Sequence, residues 1–195
     1  GEGSDTDASG YGPTMNEVLV PADDGDVKTF DLTEESAVEL NFDLWNEIET
    51  AWDFLTLEIS NDSGNNWWTI AQWNNLTNST VNQEQWLDLS FELFNGTDTI
   101  QAYDFYQPPD PYGFYGPSYN YVNVGVTDEM TFRFHFMTDG AYQVKGAYID
   151  DVELVTMENE TLPYGVSSHP WEWTSEVLFE DDFENGLDKW LAIEP

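Results

Sequence analysis

The chain is dominated by short segments in which apolar and polar residues alternate. Residues 37–45 read AVELNFDLW, and residues 131–137 read TFRFHFM, with three phenylalanines at every second position. A period of two places one set of side chains on each face of a β-strand. The same pattern predicts strands at residues 52–60, 86–93 and 147–155, and no comparable stretch combines helical periodicity with capping residues. Eight to ten such strands joined by long loops predict an all-β antiparallel sandwich, or jelly roll.

Turn-forming and apolar–acidic segments divide the chain into four parts. Residues 1–16 are rich in Gly, Ser and Asp and are predicted to form a flexible or extended N-terminal arm. Residues 17–155 carry the alternating segments and are predicted to form the sandwich. Residues 156–177 contain Pro and Trp and are interpreted as a linker, and residues 178–195 as a last strand.

Composition adds a strongly acidic surface to this picture. Of 195 residues, 39 are Asp or Glu and only 4 are Lys or Arg, for a formal net charge of −35. So few cations cannot replace the counterions of phosphate, which excludes nucleic acid and anionic membrane surfaces as direct partners unless metal ions bridge them. Aromatic residues make up 16% of the chain, enough apolar area for a folded core. No apolar run approaches the roughly 20 residues of a membrane-spanning helix, so membrane insertion is not expected.

Candidate glycosylation sites indicate the compartment. N-x-S/T sequons occur at Asn61, Asn75, Asn78, Asn95 and Asn159, and the chain has no Cys. Sequons are typical of surface loops in secreted proteins. These features favour a cell-surface or secreted protein of an archaeon or a bacterium. The acidity suits a halophilic exterior, where salt screens repulsion, or a calcium-rich one, and the sequence leaves both open.

Three motifs in order resemble jelly-roll domains described as MAM-like. They are WDFLTLEISNDSGNNWWTI at residues 52–70, FRFHFMTDG at residues 132–140 and KGAYIDDVEL at residues 145–154. The most similar form is the non-catalytic domain of immune inhibitor A-type metallopeptidases, together with related calcium-binding jelly-roll modules. The resemblance implies a jelly roll over about residues 18–155.

The strand that opens such domains stands at the other end of this chain. Its Phe-Glu, Gly and Trp signature appears as FENGLDKW at residues 183–190. A sandwich without that strand exposes apolar side chains and unpaired backbone groups. The strand could return to its own domain, enter the next subunit or repeat by donor-strand complementation, or begin an unrelated domain. The apolar residues expected to make its contacts are Phe179, Phe183, Leu187 and Trp190.

The resemblance also implies a structural Ca²⁺ between the Phe-Glu strand and the IDDV strand. Carried over by motif, Glu184 and Asp151 would be ligands, with Asp150 as the alternate because strand alternation turns only one of the pair inward. Ca²⁺ takes six to eight oxygen ligands, so further carboxylates are needed. The remaining candidates lie at strand ends or in the arm: Asp53, Asp139, Asp5 and Asp7. The competing interpretation is an acidic surface without a bound ion.

The sequence features that would indicate sugar binding or catalysis are weaker. Aromatic side chains near turns could stack on sugar rings, although core packing or a protein contact is favoured for them; they are Trp67, Trp68, Trp73, Tyr112, Phe114, Tyr115 and Tyr119. The chain has only His135 and His169, and it has neither an HExxH nor a G-x-S-x-G motif. We therefore do not expect an enzyme.

The leading interpretation is a non-catalytic extracellular structural protein. It would be a calcium-stabilised jelly-roll subunit or repeat, joined head to tail by strand exchange into a filament, sheath or surface array. Its partners would be copies of itself or neighbouring repeats. The alternative is a carbohydrate-binding or adhesion module accessory to a secreted hydrolase, which would bind glycans. The place of the C-terminal strand discriminates between the two, because a monomeric module would insert its own.

Overall fold

The chain forms a β-sandwich. The computed structural model describes residues 11–49, 52–73, 86–103, 121–141, 144–159 and 173–193. Within these residues every regular element is a strand, and two antiparallel sheets pack face to face, which confirms the predicted all-β class.

Twelve strands occur among the described residues: β1 (Asn16–Asp23), β2 (Asp26–Val27), β3 (Ala37–Glu47), β4 (Phe54–Ser60), β5 (Trp68–Trp73), β6 (Leu87–Asn95), β7 (Thr99–Tyr103), β8 (Tyr121–Gly125), β9 (Thr131–Met137), β10 (Gly146–Asn159), β11 (Trp173–Asp181) and β12 (Trp190–Ile193). The larger sheet has the order β12-β1-β9-β4-β5-β7-β8, and β2 forms a hairpin with β1. The smaller sheet has the order β11-β10-β3-β6.

Alternation along β3 builds the centre of the core. Val38, Leu40, Phe42 and Leu44 are each at most 1% exposed, while the residues between them are half-buried on the outer face. The ring of Phe42 lies 5.0 Å from that of Phe134 on β9 in the opposite sheet, nearly perpendicular to it. Both alternating segments therefore point their apolar sides at each other, as the pattern predicted.

The C-terminal segment completes its own domain. Strand β12 pairs antiparallel with β1, from Pro21 opposite Trp190 to Val18 opposite Ile193. Trp190 and Phe179 are each 4% exposed, and Phe183 packs against the same core. Leu187, the fourth residue expected to make contacts, is 49% exposed and lies outside the core. Residues 178–195 do not form the single strand that was predicted: residues 178–181 end β11 in the smaller sheet, and residues 190–193 form β12 in the larger one, both paired within this chain.

The predicted linker over residues 156–177 is wrong at both ends. Residues 156–159 continue β10, and residues 173–177 begin β11, which pairs with β10 from Asn159 opposite Trp173 to Val152 opposite Asp181. The sequence signal fails there because β11 is an edge strand, and its residues 175–177 are all exposed. Residues 160–172 lie outside the described part of the chain.

The part of the predicted N-terminal arm that the structure describes is bound to the rest of the fold. The Thr14 N–H donates to the Asp139 carbonyl at 2.7 Å, and the Met15 N–H donates to the Thr138 hydroxyl at 2.8 Å. These bonds hold residues 11–15 against the turn after β9, so they are not free. Residues 1–10 lie outside the described part.

Removing the Trp190 side chain should destabilise the domain strongly. Its ring centroid lies 5.2 Å from that of Phe179 and 5.3 Å from that of Phe183. We expect Trp190→Ala to lower the free energy of unfolding by about 3–5 kcal/mol, as for other buried aromatic truncations. Urea denaturation measures this, with the exposed Leu187→Ala as the matched control, which should change it by about 0.5 kcal/mol or less. Equal losses in the two variants would mean that β12 is not packed as described.

Candidate functional site

Three carboxylates meet at one end of the sandwich. Ligand oxygens of Glu49, Asp53 and Asp139 all lie within 4.8 Å of one another. Asp53 directly precedes β4 and Asp139 follows β9, and these strands are paired with Phe54 opposite Met137. The strand register therefore brings the two aspartates together, and Glu49 joins them from the segment that follows β3. We call these three residues the carboxylate cluster.

Asp53 is the buried member of the cluster, at 1% exposure. Its Oδ1 accepts the backbone N–H of Asp139 at 2.9 Å, and its Oδ2 accepts the hydroxyl of Tyr11 in a short hydrogen bond. The Tyr11 hydroxyl oxygen in turn accepts the Glu49 N–H at 3.1 Å. An ionised carboxylate has about four lone-pair positions, so both Asp53 oxygens keep capacity for a cation.

Tyr11 fixes the cluster from the N-terminal side. Burial, and then the hydrogen bond to Asp53, raise the pKa of the Tyr11 hydroxyl, which keeps it protonated and donating. Its ring packs edge-on against Phe136 with centroids 5.0 Å apart. Gly146, at φ 106°, lets the ring approach, since a Cβ there would lie 3.2 Å from the Tyr11 Cδ1. The cluster is thus held by packing as well as by hydrogen bonds.

A buried amide lies on the same strand that leads into the cluster. Asn46 is 1% exposed and follows Leu44 on the inner face of β3, three residues before Glu49. Neither its amide nitrogen nor its carbonyl oxygen has a hydrogen-bond partner among the described residues. Leaving such a group unsatisfied costs about 1–3 kcal/mol.

The donor set of the cluster limits its chemistry. All three side chains offer oxygen, which suits hard cations such as Ca²⁺ or Mg²⁺, whereas structural zinc sites are built from Cys sulfur and His nitrogen. Three carboxylates at these distances repel one another when ionised, and a divalent ion between them would replace repulsion with attraction.

The sequence anticipated two of the three members. Asp53 and Asp139 were candidates because they lie at strand ends, and the structure places them together. Glu49 was missed, because residues 46–51 lie between the two alternating segments and carry no periodic pattern that would give the direction of its side chain. The available signal was the position of Glu49, which lies two residues after the end of β3 and four residues before Asp53.

Asp151 and Glu184, the two calcium ligands implied by the family motifs, do not belong to the carboxylate cluster. Asp151 is exposed at a bulge of β10 with φ 49°, where its N–H bonds to Asp150 Oδ1 at 3.0 Å. It lines an open groove with Asp182 and Asn185, but Glu184 does not line that groove. Among the described residues, neither Asp151 nor Glu184 belongs to a group of three or more close metal-ligating side chains. Asp5 and Asp7 lie outside the described residues.

The sequon asparagines differ in the hydrogen bonds that their side chains make within the fold. The Asn61 amide donates to the Gly125 carbonyl at 3.0 Å, and the exposed Asn95 donates to Glu92 at 3.1 Å. Asn75 and Asn78 lie outside the described residues, and so does the side chain of Asn159. Asn95 is therefore the most accessible acceptor among those described.

The candidate sugar-stacking rings have structural contacts where they are described. Trp73 is 4% exposed in the core, and Trp68 packs against the core. Trp67 lies under the Arg133 guanidinium, 4.2 Å from its ring centroid. The other four, Tyr112, Phe114, Tyr115 and Tyr119, lie outside the described residues.

A second group of titratable residues lies between β4 and β9. Glu58 is 5% exposed, and its Oε2 accepts from Arg133 Nε at 2.5 Å. His135 contacts Glu58 Oε1 through Nδ1 at 3.3 Å and Asn16 Oδ1 through Nε2 at 2.7 Å. The cross-strand pairs Glu58–Arg133 and Thr56–His135 set this geometry. Both ring nitrogens of His135 thus have fold contacts, and His169 lies outside the described residues.

Comparison with protein-family models and with curated protein sequences identifies no relative of this chain. No protein-family model matches the chain, and no curated protein sequence matches it significantly. The MAM-like resemblance therefore stays a hypothesis that rests on its three motifs. Among the described residues, no helix has the length and apolarity needed to cross a membrane.

Glu58 should make the fold sensitive to acid. Burial alone would raise the pKa of Glu58, but its hydrogen bond to His135 and the charge of Arg133 outweigh burial and hold it below its usual value. A lowered folded-state pKa contributes stability above the unfolded value of about 4.3, and this stability is lost as the pH falls through the folded pKa. We expect Glu58→Gln to lose about 3 kcal/mol of unfolding free energy at pH 7.

The difference between wild type and Glu58→Gln should shrink as the pH is lowered from 7 to below 4. Urea denaturation across this range measures it, and the exposed Glu129→Gln provides the control. A difference that stays constant with pH would show that the Glu58 charge does not stabilise the fold.

Proposed function

We propose that this chain is a non-catalytic, calcium-stabilised β-sandwich module that acts outside the cell by binding a partner. The observation that carries the proposal is the carboxylate cluster, in which Tyr11 orients a buried aspartate towards two other carboxylates. The acidic composition and the sequons support an extracellular place for such a module.

The spacing of the cluster supports Ca²⁺ as its ion. An ion centred between three oxygens that are at most 4.8 Å apart would lie no more than about 2.8 Å from each, a range that includes the Ca–O distances of about 2.3–2.6 Å. Mg²⁺ demands a near-ideal octahedron and usually keeps several waters, whereas Ca²⁺ accepts a flexible set of protein oxygens. Bidentate carboxylates and water would supply the remaining ligands.

The exposure of the cluster supports a site that works at extracellular calcium concentrations. Asp53 is buried, whereas Glu49 and Asp139 are half-buried, so two ligands remain open to solvent. Extracellular modules with such sites bind Ca²⁺ with dissociation constants of about 0.1–1 mM. Binding of that strength stabilises a fold outside the cell and leaves it nearly unoccupied at cytosolic calcium levels.

Calcium should raise the melting temperature through Asp139. At 10 mM Ca²⁺ and a dissociation constant of about 0.1 mM, binding adds about 2.7 kcal/mol, or roughly 5–10 °C for a chain of this size. Differential scanning calorimetry in CaCl₂ and in EDTA at matched ionic strength measures the shift. Asp139→Asn should abolish most of it, and the exposed Asp128→Asn should keep it. An equal shift in both variants would place the stabilising ion elsewhere.

A strand-exchanged homopolymer is the second candidate, and the position of β12 favours it. This strand lies at the end of the larger sheet, and among the described strands it pairs only with β1, so the same pairs could form between two chains. Exchange would leave the interior of both sheets unchanged.

Because β12 pairs with β1 of the same chain, we expect a monomer. Size-exclusion chromatography with light scattering should give one species near 22.3 kDa, both with calcium and with chelator. Larger species that disappear in Trp190→Ala would favour the exchanged polymer over the monomeric module.

A further inference from the structure

Outward-facing aspartates form a row across the smaller sheet. Asp43 on β3 lies opposite Asp88 on β6 and opposite Asp150 on β10. Neighbouring strands are about 4.8 Å apart, and like charges directly opposite each other destabilise a sheet. Burial, and then the charges of Asp151, Asp88 and Asp150, raise the pKa of Asp43. This face therefore carries concentrated negative charge that the fold itself does not need.

An aromatic row runs beside the aspartates. Trp45 lies opposite Tyr148, with ring centroids 5.3 Å apart. Trp86 directly precedes β6, whose first residue, Leu87, lies opposite Leu44. Trp86 and Tyr148 are each 50% exposed. Exposed aromatic side chains collected in one row are typical of a contact surface.

The face already receives one cation from its own chain. The Lys145 ammonium lies 5.6 Å from the centroid of the Trp45 ring and 3.0 Å from Glu47 Oε2. Attraction between a cation and an indole face, strengthened by a carboxylate, is the expected mode of recognition. Lys145 thus shows that the outer face of Trp45 accepts a cation that a neighbouring carboxylate also holds.

We propose that this face is a docking surface for an arginine-rich, extended segment of a partner protein. It is defined by Trp45, Trp86, Tyr148, Asp43, Asp88 and Asp150, and we call it the aspartate–aromatic face. A guanidinium can stack on an aromatic ring and bind a carboxylate with two hydrogen bonds. Each bound arginine would also relieve repulsion in the aspartate row, a gain that a neutral glycan does not offer. The proposal names the partner of the binding module proposed above and rests on that function.

The test measures binding of a fluorescein-labelled Arg-Gly repeat peptide to the full chain by fluorescence anisotropy at 150 mM NaCl. The double variant Asp88→Asn/Asp150→Asn should weaken binding about tenfold or more, corresponding to about 1.4 kcal/mol. Asp24→Asn/Asp128→Asn removes the same charge from exposed turns and should change binding by less than about twofold. Since it relieves repulsion, the first variant should also melt no lower than wild type, which separates lost binding from unfolding.

Aromatic stacking is tested by a second pair of variants and a second peptide. Tyr148→Ser should weaken binding of the Arg-Gly peptide more than binding of a Lys-Gly peptide of equal charge, because lysine stacks less well. The control Tyr121→Ser removes a 70% exposed ring from the larger sheet and should change neither. Equal losses in both double variants would reduce the effect to the net charge of the chain and overturn the proposal.

Other outcomes separate this inference from the proposed function. Binding of an oligosaccharide that Tyr148→Ser abolishes, without peptide binding, would overturn the arginine-rich partner and leave a glycan-binding module. If calcium raises the melting temperature but neither probe binds, the aspartate–aromatic face is rejected while the calcium site stands. Peptide binding in a chain that calcium does not stabilise would instead reject the calcium site alone.

Discussion

The closure of the sandwich by the last strand is the constraint on which the rest of the structure depends. Trp190 is packed among rings from β9 and β11, and its indole N–H donates to Asp181 Oδ2 at 3.1 Å. Asp181 Oδ1 also accepts the Phe183 N–H at 2.7 Å, so one carboxylate fixes both the turn and the ring. β12 in turn covers the outer edge of β1. Residues 11–15, which position the carboxylate cluster, directly precede β1, so the site depends on this edge.

Negative charge is used in three different ways in this molecule. Glu58 is buried against Arg133 and His135, where charge pairing offsets the cost of desolvation. The carboxylate cluster is held by hydrogen bonds from the Tyr11 hydroxyl and the Asp139 N–H, and its three oxygen-donor side chains suit a hard metal ion. The aspartate row lies on the outer face of the smaller sheet, where Asp88 is exposed and Asp43 and Asp150 are half-buried.

Alternation predicted the sandwich because inward positions of β3 and β9 had to be apolar at every second residue. It failed for β11, an edge strand whose side chains at residues 175–177 are exposed and need no pattern. Asp53 and Asp139 could be proposed from their places at strand ends, since paired strands bring such ends together. Glu49 and Tyr11 depend on loop geometry and on contacts distant in sequence, which no local pattern encodes, whereas Asn46 continues the inward positions of β3. The same holds for the aspartate–aromatic face, because strand register decides which residues become neighbours.

The central claim is that the carboxylate cluster holds Ca²⁺. Isothermal titration calorimetry of CaCl₂ into the full chain tests it most directly, with Glu49→Gln as the comparison. The account predicts one site of about 0.1–1 mM or tighter above a weak background, and its loss in the variant. Identical weak heats in the two proteins would contradict the account, because the calcium would then bind only as a counterion to the acidic surface.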